Sequence, residues 1–117
     1  MPSDALIRYQ GTPIHLGEHA TNSIALILHE LATNAAKYGA LSVDHGSVSV
    51  AWEVAEENLH LRWRENNGPE ISAPTKKGFG SALVERTISG HGGALDYAWF
   101  PRGLTANIRI PMSQVAR

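Results

Sequence analysis

The chain has 117 residues, enough for one domain with a real core and too few for two independent lobes. Ten basic against eleven acidic residues leave a formal charge of -1, and no basic run is longer than Lys76-Lys77, which argues against a nucleic-acid-binding face. With no cysteine there is neither a disulfide framework nor a thiolate zinc site, and no apolar run approaches the roughly twenty residues that span a bilayer. The start, Met1-Pro2-Ser3-Asp4, has no charged segment followed by an apolar one. The expectation is a cytoplasmic domain making no membrane contact of its own.

Residues 5–10 read as a short strand, ended by the turn signal Gly11-Thr12-Pro13, with residues 14–16 resuming it after the break. A helix follows. Thr21 or Asn22 is placed to cap it, Gly39 to end it, and Ile24, Leu28, Leu31, Ala35 and Tyr38 recur at three- and four-residue steps as its core face. Beside that stripe, Glu30, Asn34 and Lys37 follow at i, i+4 and i+7, so an acid, an amide and an ammonium project from one line. Asn is a poor helix-interior residue, because its amide competes with the backbone for hydrogen bonds. His29 lies next to the stripe and reads as a core-edge histidine.

From Gly46 the period changes to two. Val48, Val50, Trp52 and Val54 alternate with polar or small residues, a turn at Glu56-Glu57-Asn58 follows, and Leu59, Leu61 and Trp63 alternate with His60, Arg62 and Arg64. These runs predict an antiparallel hairpin with one buried face. Residues 65–80 have no periodicity, and a loop of that length in so small a domain is usually functional. Helical spacing returns at residues 81–89 through Leu83, Val84, Thr87 and Ile88, and Gly90 stops it. Two strands, 94–100 and 104–110, are joined by Pro101-Arg102-Gly103, and Pro111 ends the sheet. The expected architecture is α/β: a two-layer sandwich of a mixed, mostly antiparallel sheet with the helices on one face.

Three stretches carry candidate chemistry. The Glu30, Asn34 and Lys37 line suits an anionic, metal-bearing ligand: an amide oxygen for a hard cation such as Mg²⁺, a carboxylate to orient a water or a reacting group, an ammonium for phosphate. It is equally the pattern of a solvated helix face. Gly78-Phe79-Gly80-Ser81, just before a helix, could let backbone N–H groups approach a phosphate, or form a plain turn with Ser81 as cap. Glu65-Asn66-Asn67-Gly68-Pro69 closes the hairpin, where an acid or amide beside a glycine could accept a hydrogen bond from an exocyclic amine; an ordinary turn is the alternative. His15-Leu16-Gly17-Glu18-His19 matches the zinc pattern H-x-x-E-H, but Pro13 and Gly17 oppose the helix that this chemistry needs.

Taken in order, residues 29–42, Trp63-Arg64-Glu65, Asn67-Gly68-Pro69 and Gly78-Phe79-Gly80-Ser81 resemble the ATP-binding catalytic domain of HWE-type sensor histidine kinases, within the GHKL superfamily. The resemblance runs from Leu6 to Pro111, and His29, Trp63 and Glu65 match the residues that give the subfamily its name. It implies a Bergerat fold that binds ATP with Mg²⁺ and passes the γ-phosphoryl group to a histidine of a dimerisation and phosphoacceptor domain, with a response regulator as the indirect partner. By this resemblance Asn34 holds Mg²⁺, Glu30 orients water or the incoming imidazole, and Lys37 and Tyr38 contact the nucleotide. Glu65 or Asn66, with Gly68, falls in the adenine box; Gly78, Phe79, Gly80 and Ser81 fall in the phosphate-binding glycine box, behind a short lid at residues 70–77. The superfamily's usual Asp-x-Gly-x-Gly is absent, so Glu65 and Asn66 both stand as candidate adenine acceptors. The phosphoacceptor hairpin has no counterpart before Leu6, and the expectation is one catalytic domain, residues 1–117, excised from a longer parent. A nucleotide- or partner-binding module of the same fold without kinase activity is the alternative.

Overall fold

A computed structural model describes residues 6–69 and 81–117. The elements run β1 (Leu6–Gly11), α1 (Glu18–Tyr38), a 3-10 turn (Ala40–Ser42), β2 (Ser47–Ala55), β3 (Asn58–Asn66), α2 (Ser81–Gly90), β4 (Ala94–Phe100), β5 (Gly103–Pro111) and α3 (Met112–Val115). The sheet order is β1-β2-β3-β5-β4, with β1 and β2 parallel and the other neighbours antiparallel. This is the expected mixed, mostly antiparallel sheet.

Alternation sorts each strand's side chains onto two faces. Val50, Trp63 and Ala106 sit side by side in register and are buried, as are Leu61 and Ile108 in the next row. On this face α1 lays down Ile27, Leu31 and Ala35, and α2 lays down Val84 and Ile88, so both helices share one core with the sheet. The opposite face is polar, with Arg62 donating from Nε to Asn107 Oδ1 at 3.2 Å across β3 and β5. The β2–β3 hairpin closes through Glu56 and Glu57, both at positive φ (52° and 63°), the pair of left-handed residues that a two-residue turn matching strand twist demands. The amide of Asn58 donates to Glu56 O at 3.0 Å and steadies it.

The structure corrects several expectations. Residues 12–17 form no strand. The helix begins earlier than its side-chain caps suggest: α1 starts at Glu18 with Gly17 as N-cap and no side-chain cap. Its free amides are met by main-chain carbonyls of the C-terminal tail, with Gly17 N–H donating to Val115 O (2.9 Å) and His19 N–H to Arg117 O (2.8 Å). Thr21 turns its hydroxyl back to Gly17 O (2.8 Å). Pro111 ends the sheet but opens α3, which had no sequence signal; α3 buries Val115 and so brings those carbonyls to α1. The core face of α1 centres on Ile27, fully buried, while Tyr38 is 47% exposed and His29 is exposed, not at the core edge.

Candidate functional site

Ser23, Glu30, Asn34 and Lys37 stand at i, i+7, i+11 and i+14 of α1, and therefore on one flank of the helix. The direction of that flank is fixed by Ser23, whose hydroxyl lies 2.7 Å from Nε2 of His91, the residue directly after α2. The polar line thus looks along the side of α1 that faces α2. Glu30 and Asn34 are half-buried there and Lys37 is exposed. Among the described residues no group of three or more His, Cys, Asp or Glu side chains could hold a metal ion. A metal on this flank would take most of its ligands from a bound ligand and water, which fits a hard cation on phosphates and not a protein-caged one.

At the upper end of α1 the chain leaves the helix at Gly39 and turns into the 3-10 segment, and here β3 ends against it. Trp63 and Glu65, two residues apart, both point to the buried face of the sheet, at 1% and 7% exposure. The carboxylate of Glu65 accepts the Ala40 N–H on Oε1 (3.1 Å) and the Trp63 indole N–H on Oε2 (3.0 Å). Burial pushes the Glu65 carboxyl above the ordinary carboxylate range, and these two donors oppose the shift without cancelling it. Gly39 owes its place to this carboxylate and not to backbone handedness: its φ is -118°, and a Cβ there would overlap Glu65 Oε1.

The two candidates for an adenine acceptor lie on opposite faces of the sheet. Glu65 faces the helices, whereas Asn66 lies on the outer side, its amide 3.5 Å from Ser49 Oγ and from Arg64 O. Strand alternation makes this unavoidable for adjacent residues. Gly68 is buried with its backbone against Ala40, and its N–H donates to Arg102 O at 2.9 Å. Ser81 opens α2, while Gly78, Phe79, Gly80 and the lid at residues 70–77 lie outside the described residues. His15 precedes α1 and His19 stacks on His91 with ring centroids 4.7 Å apart, so the zinc spacing is not realised on one helix. A concavity of about 690 Å³ lies on the polar face of the sheet, among Glu53, His60, Arg62, Asp96, Asn107 and Arg109, and none of the predicted site residues line it.

Sequence reasoning missed the Trp63–Glu65–Ala40 linkage as a unit. Its signal was present: Leu59, Leu61 and Trp63 set a buried alternation, and Glu65 continues it with a charge. A carboxylate in a core register needs donors, and the nearby indole is one.

No family model matches the chain. It is 39% identical over 112 residues to a blue-light-activated histidine kinase of Brucella anthropi, covering 92% of this chain and 23% of that protein. It is 39% identical over 107 residues to blue-light-activated histidine kinase 1 of Erythrobacter litoralis, covering 89% of this chain and 30% of the relative. The chain therefore spans less than a third of the curated relatives it matches. Among solved structures, the histidine kinase domain of Erythrobacter litoralis EL346 superposes with a TM-score of 0.80 at 23% identity, over 97% of this chain and 57% of that one. The catalytic domain of the histidine kinase ThkA gives a TM-score of 0.72 at 17% identity, over 93% of this chain and 79% of that one, a likeness of fold.

Proposed function

The chain belongs to the histidine kinases as a catalytic domain of the HWE type, and from that premise we propose that it binds ATP with Mg²⁺ and directs the γ-phosphoryl group to a histidine on a separate dimerisation and phosphoacceptor domain. The observation that carries this reading is the half-buried Glu30 and Asn34 pair on the flank of α1 that faces α2, with Lys37 one turn further on.

In this reading Asn34 presents its amide oxygen to the metal, Lys37 meets phosphate charge, and Tyr38, Gly68 and Glu65 border the base. Bound there, Mg²⁺ supplies charge neutralisation on the phosphate oxygens. Glu30, one turn before Asn34, orients a water or the incoming imidazole. Gly78, Phe79, Gly80 and Ser81 complete the phosphate side, with the first-turn N–H groups of α2 as donors. Little covalent chemistry falls to the protein, so the residues act by position and electrostatics. The phosphoacceptor domain is the direct partner and a response regulator the indirect one.

The kinase reading predicts phosphohistidine on a cognate helical hairpin supplied in trans with labelled ATP. Glu30→Gln should lower that yield at least about tenfold while nucleotide affinity stays within about twofold. Intact nucleotide binding with no phosphohistidine in the wild type would leave a binding module of the same fold.

A further inference from the structure

We infer that Glu65 is a positioning residue of the nucleotide site: it does not read the base, but locks the end of α1 to the end of β3 so that Asn34 and Lys37 are held at a fixed place relative to the sheet. The inference deepens the nucleotide-binding reading and rests on it for its affinity readout.

Each Glu65 oxygen already has an internal donor, and the two donors come from different elements: Ala40 just beyond α1, and Trp63 on β3 itself. With the side chain 7% exposed, little of the carboxylate is left for an outside amine. The surrounding backbone is equally closed. A Cβ on Gly39 would overlap Glu65 Oε1, one on Gly46 would overlap Ala40 O, and one on Gly103 would overlap Glu65 O. Gly39 thus lies directly against the carboxylate, while Gly46 and Gly103 lie against the main-chain oxygens of the two residues it links, Ala40 and Glu65.

The physical reason for a carboxylate there is the Ala40 N–H. After Gly39 the chain abandons the helical path, so this donor cannot use Ala36 O as a continuing helix would. An apolar residue in place of Glu65 would leave both the Ala40 N–H and the Trp63 indole N–H buried and unpaired. A directional bond to each element also fixes distance and rotation, which apolar contact alone lets slide. Lys37 and Asn34 lie three and six residues back from Ala40, so any swing of the helix end reaches them first.

The test uses the 117-residue chain with Glu65→Gln and Trp63→Phe, each measured against a non-hydrolysable ATP analogue and its inosine counterpart, which lacks the exocyclic amine. Amide spectra are recorded on the same samples. Glu65→Gln keeps the volume but turns an N–H toward one of the two donors; Trp63→Phe keeps most of the ring and removes one donor, and carries the test if the first variant fails to fold. The expected result is a loss of affinity of about tenfold in Glu65→Gln, smaller in Trp63→Phe, and equal for the adenosine and inosine nucleotides. Amides of residues 34–42 should shift in both variants. Loss confined to the adenosine analogue would overturn the inference, because Glu65 would then touch the base amine. Unchanged affinity for both nucleotides, with residues 34–42 unmoved, would overturn it as well. Should the wild type bind neither nucleotide, the nucleotide reading fails, and the amide shifts of residues 34–42 alone decide whether the lock exists.

Discussion

The two ends of α1 are secured by opposite chemistry. At its C-terminal end a buried side-chain carboxylate, Glu65, takes the N–H of Ala40 and the indole of Trp63. At its N-terminal end main-chain carbonyls of the tail, from Val115 and Arg117, take the helix's free amides, and the neighbouring side chains are a stacked pair of imidazoles, His19 and His91. The first end is a buried carboxylate packed against a backbone with no Cβ; the second is a tail whose four-residue helix buries Val115. The candidate site residues Glu30, Asn34 and Lys37 are strung along the helix between them. The Glu65 end is the rigid reference, and the tail end holds the helix down.

The largest effect should come from removing the indole. Trp63→Ala should cost about 3–5 kcal/mol in denaturant unfolding, since it empties a core position and strips Glu65 of a donor, while Trp63→Phe should cost about 1–2 kcal/mol. If the two variants cost the same, the hydrogen bond and not the packing would hold that end. At the other end Val115→Ala should cost about 2 kcal/mol, because Val115 is fully buried and carries the tail carbonyls into place. Its amide spectrum should change around residues 17–20 and not around 34–42, and a change at 34–42 would erase the distinction between the ends.

The two ends should also answer pH in opposite directions. Burial raises the Glu65 carboxyl above its ordinary 4.5, so the folded chain holds that proton longer than the unfolded one. The stability from this group is complete below pH 4.5 and is lost as pH rises through the folded value. His91 is depressed below 6.5 by burial, then by the charges of His19 and Arg117, so the unfolded chain takes up that proton first. Its contribution is complete above pH 6.5 and is lost as pH falls through the folded value. Unfolding midpoints measured from pH 4 to 8 should show Glu65→Gln removing the decline on the alkaline side of 4.5, and His91→Phe removing the rise toward 6.5. Identical pH profiles for both variants would contradict the assignment. The smallest effect belongs to neither end: Arg62→Ala, on the exposed polar face of the sheet, should stay within about 0.5 kcal/mol of wild type.

Much of this architecture was legible in the chain because its periodicities are clean. Val48 and Val50 against Leu59, Leu61 and Trp63 declare the central hairpin, and Leu31 and Ala35 declare the core face of α1. What escaped were contacts between segments far apart in sequence. Nothing near Gly17 announces a helix start, since its amides are satisfied by carbonyls almost a hundred residues later. Gly39 reads as a helix terminator, yet its lack of a Cβ answers to Glu65. Tyr38 fits the three- and four-residue apolar rhythm, yet in the last turn of α1 it is exposed. In the site, the line Glu30, Asn34 and Lys37 could be read directly, whereas its orientation toward α2 needed the Ser23 contact with His91. Of Glu65 and Asn66, alternation within β3 puts only Glu65 on that side.

On the proposed reading, this flank of α1 binds a magnesium-bearing nucleotide through Asn34. Calorimetric titration of the chain with a non-hydrolysable ATP analogue, with and without Mg²⁺, tests it in the wild type and in Asn34→Ala. Saturable binding that Mg²⁺ strengthens is expected, with the Mg²⁺-dependent gain absent from Asn34→Ala. A gain of equal size in both proteins, or none in the wild type, would contradict it.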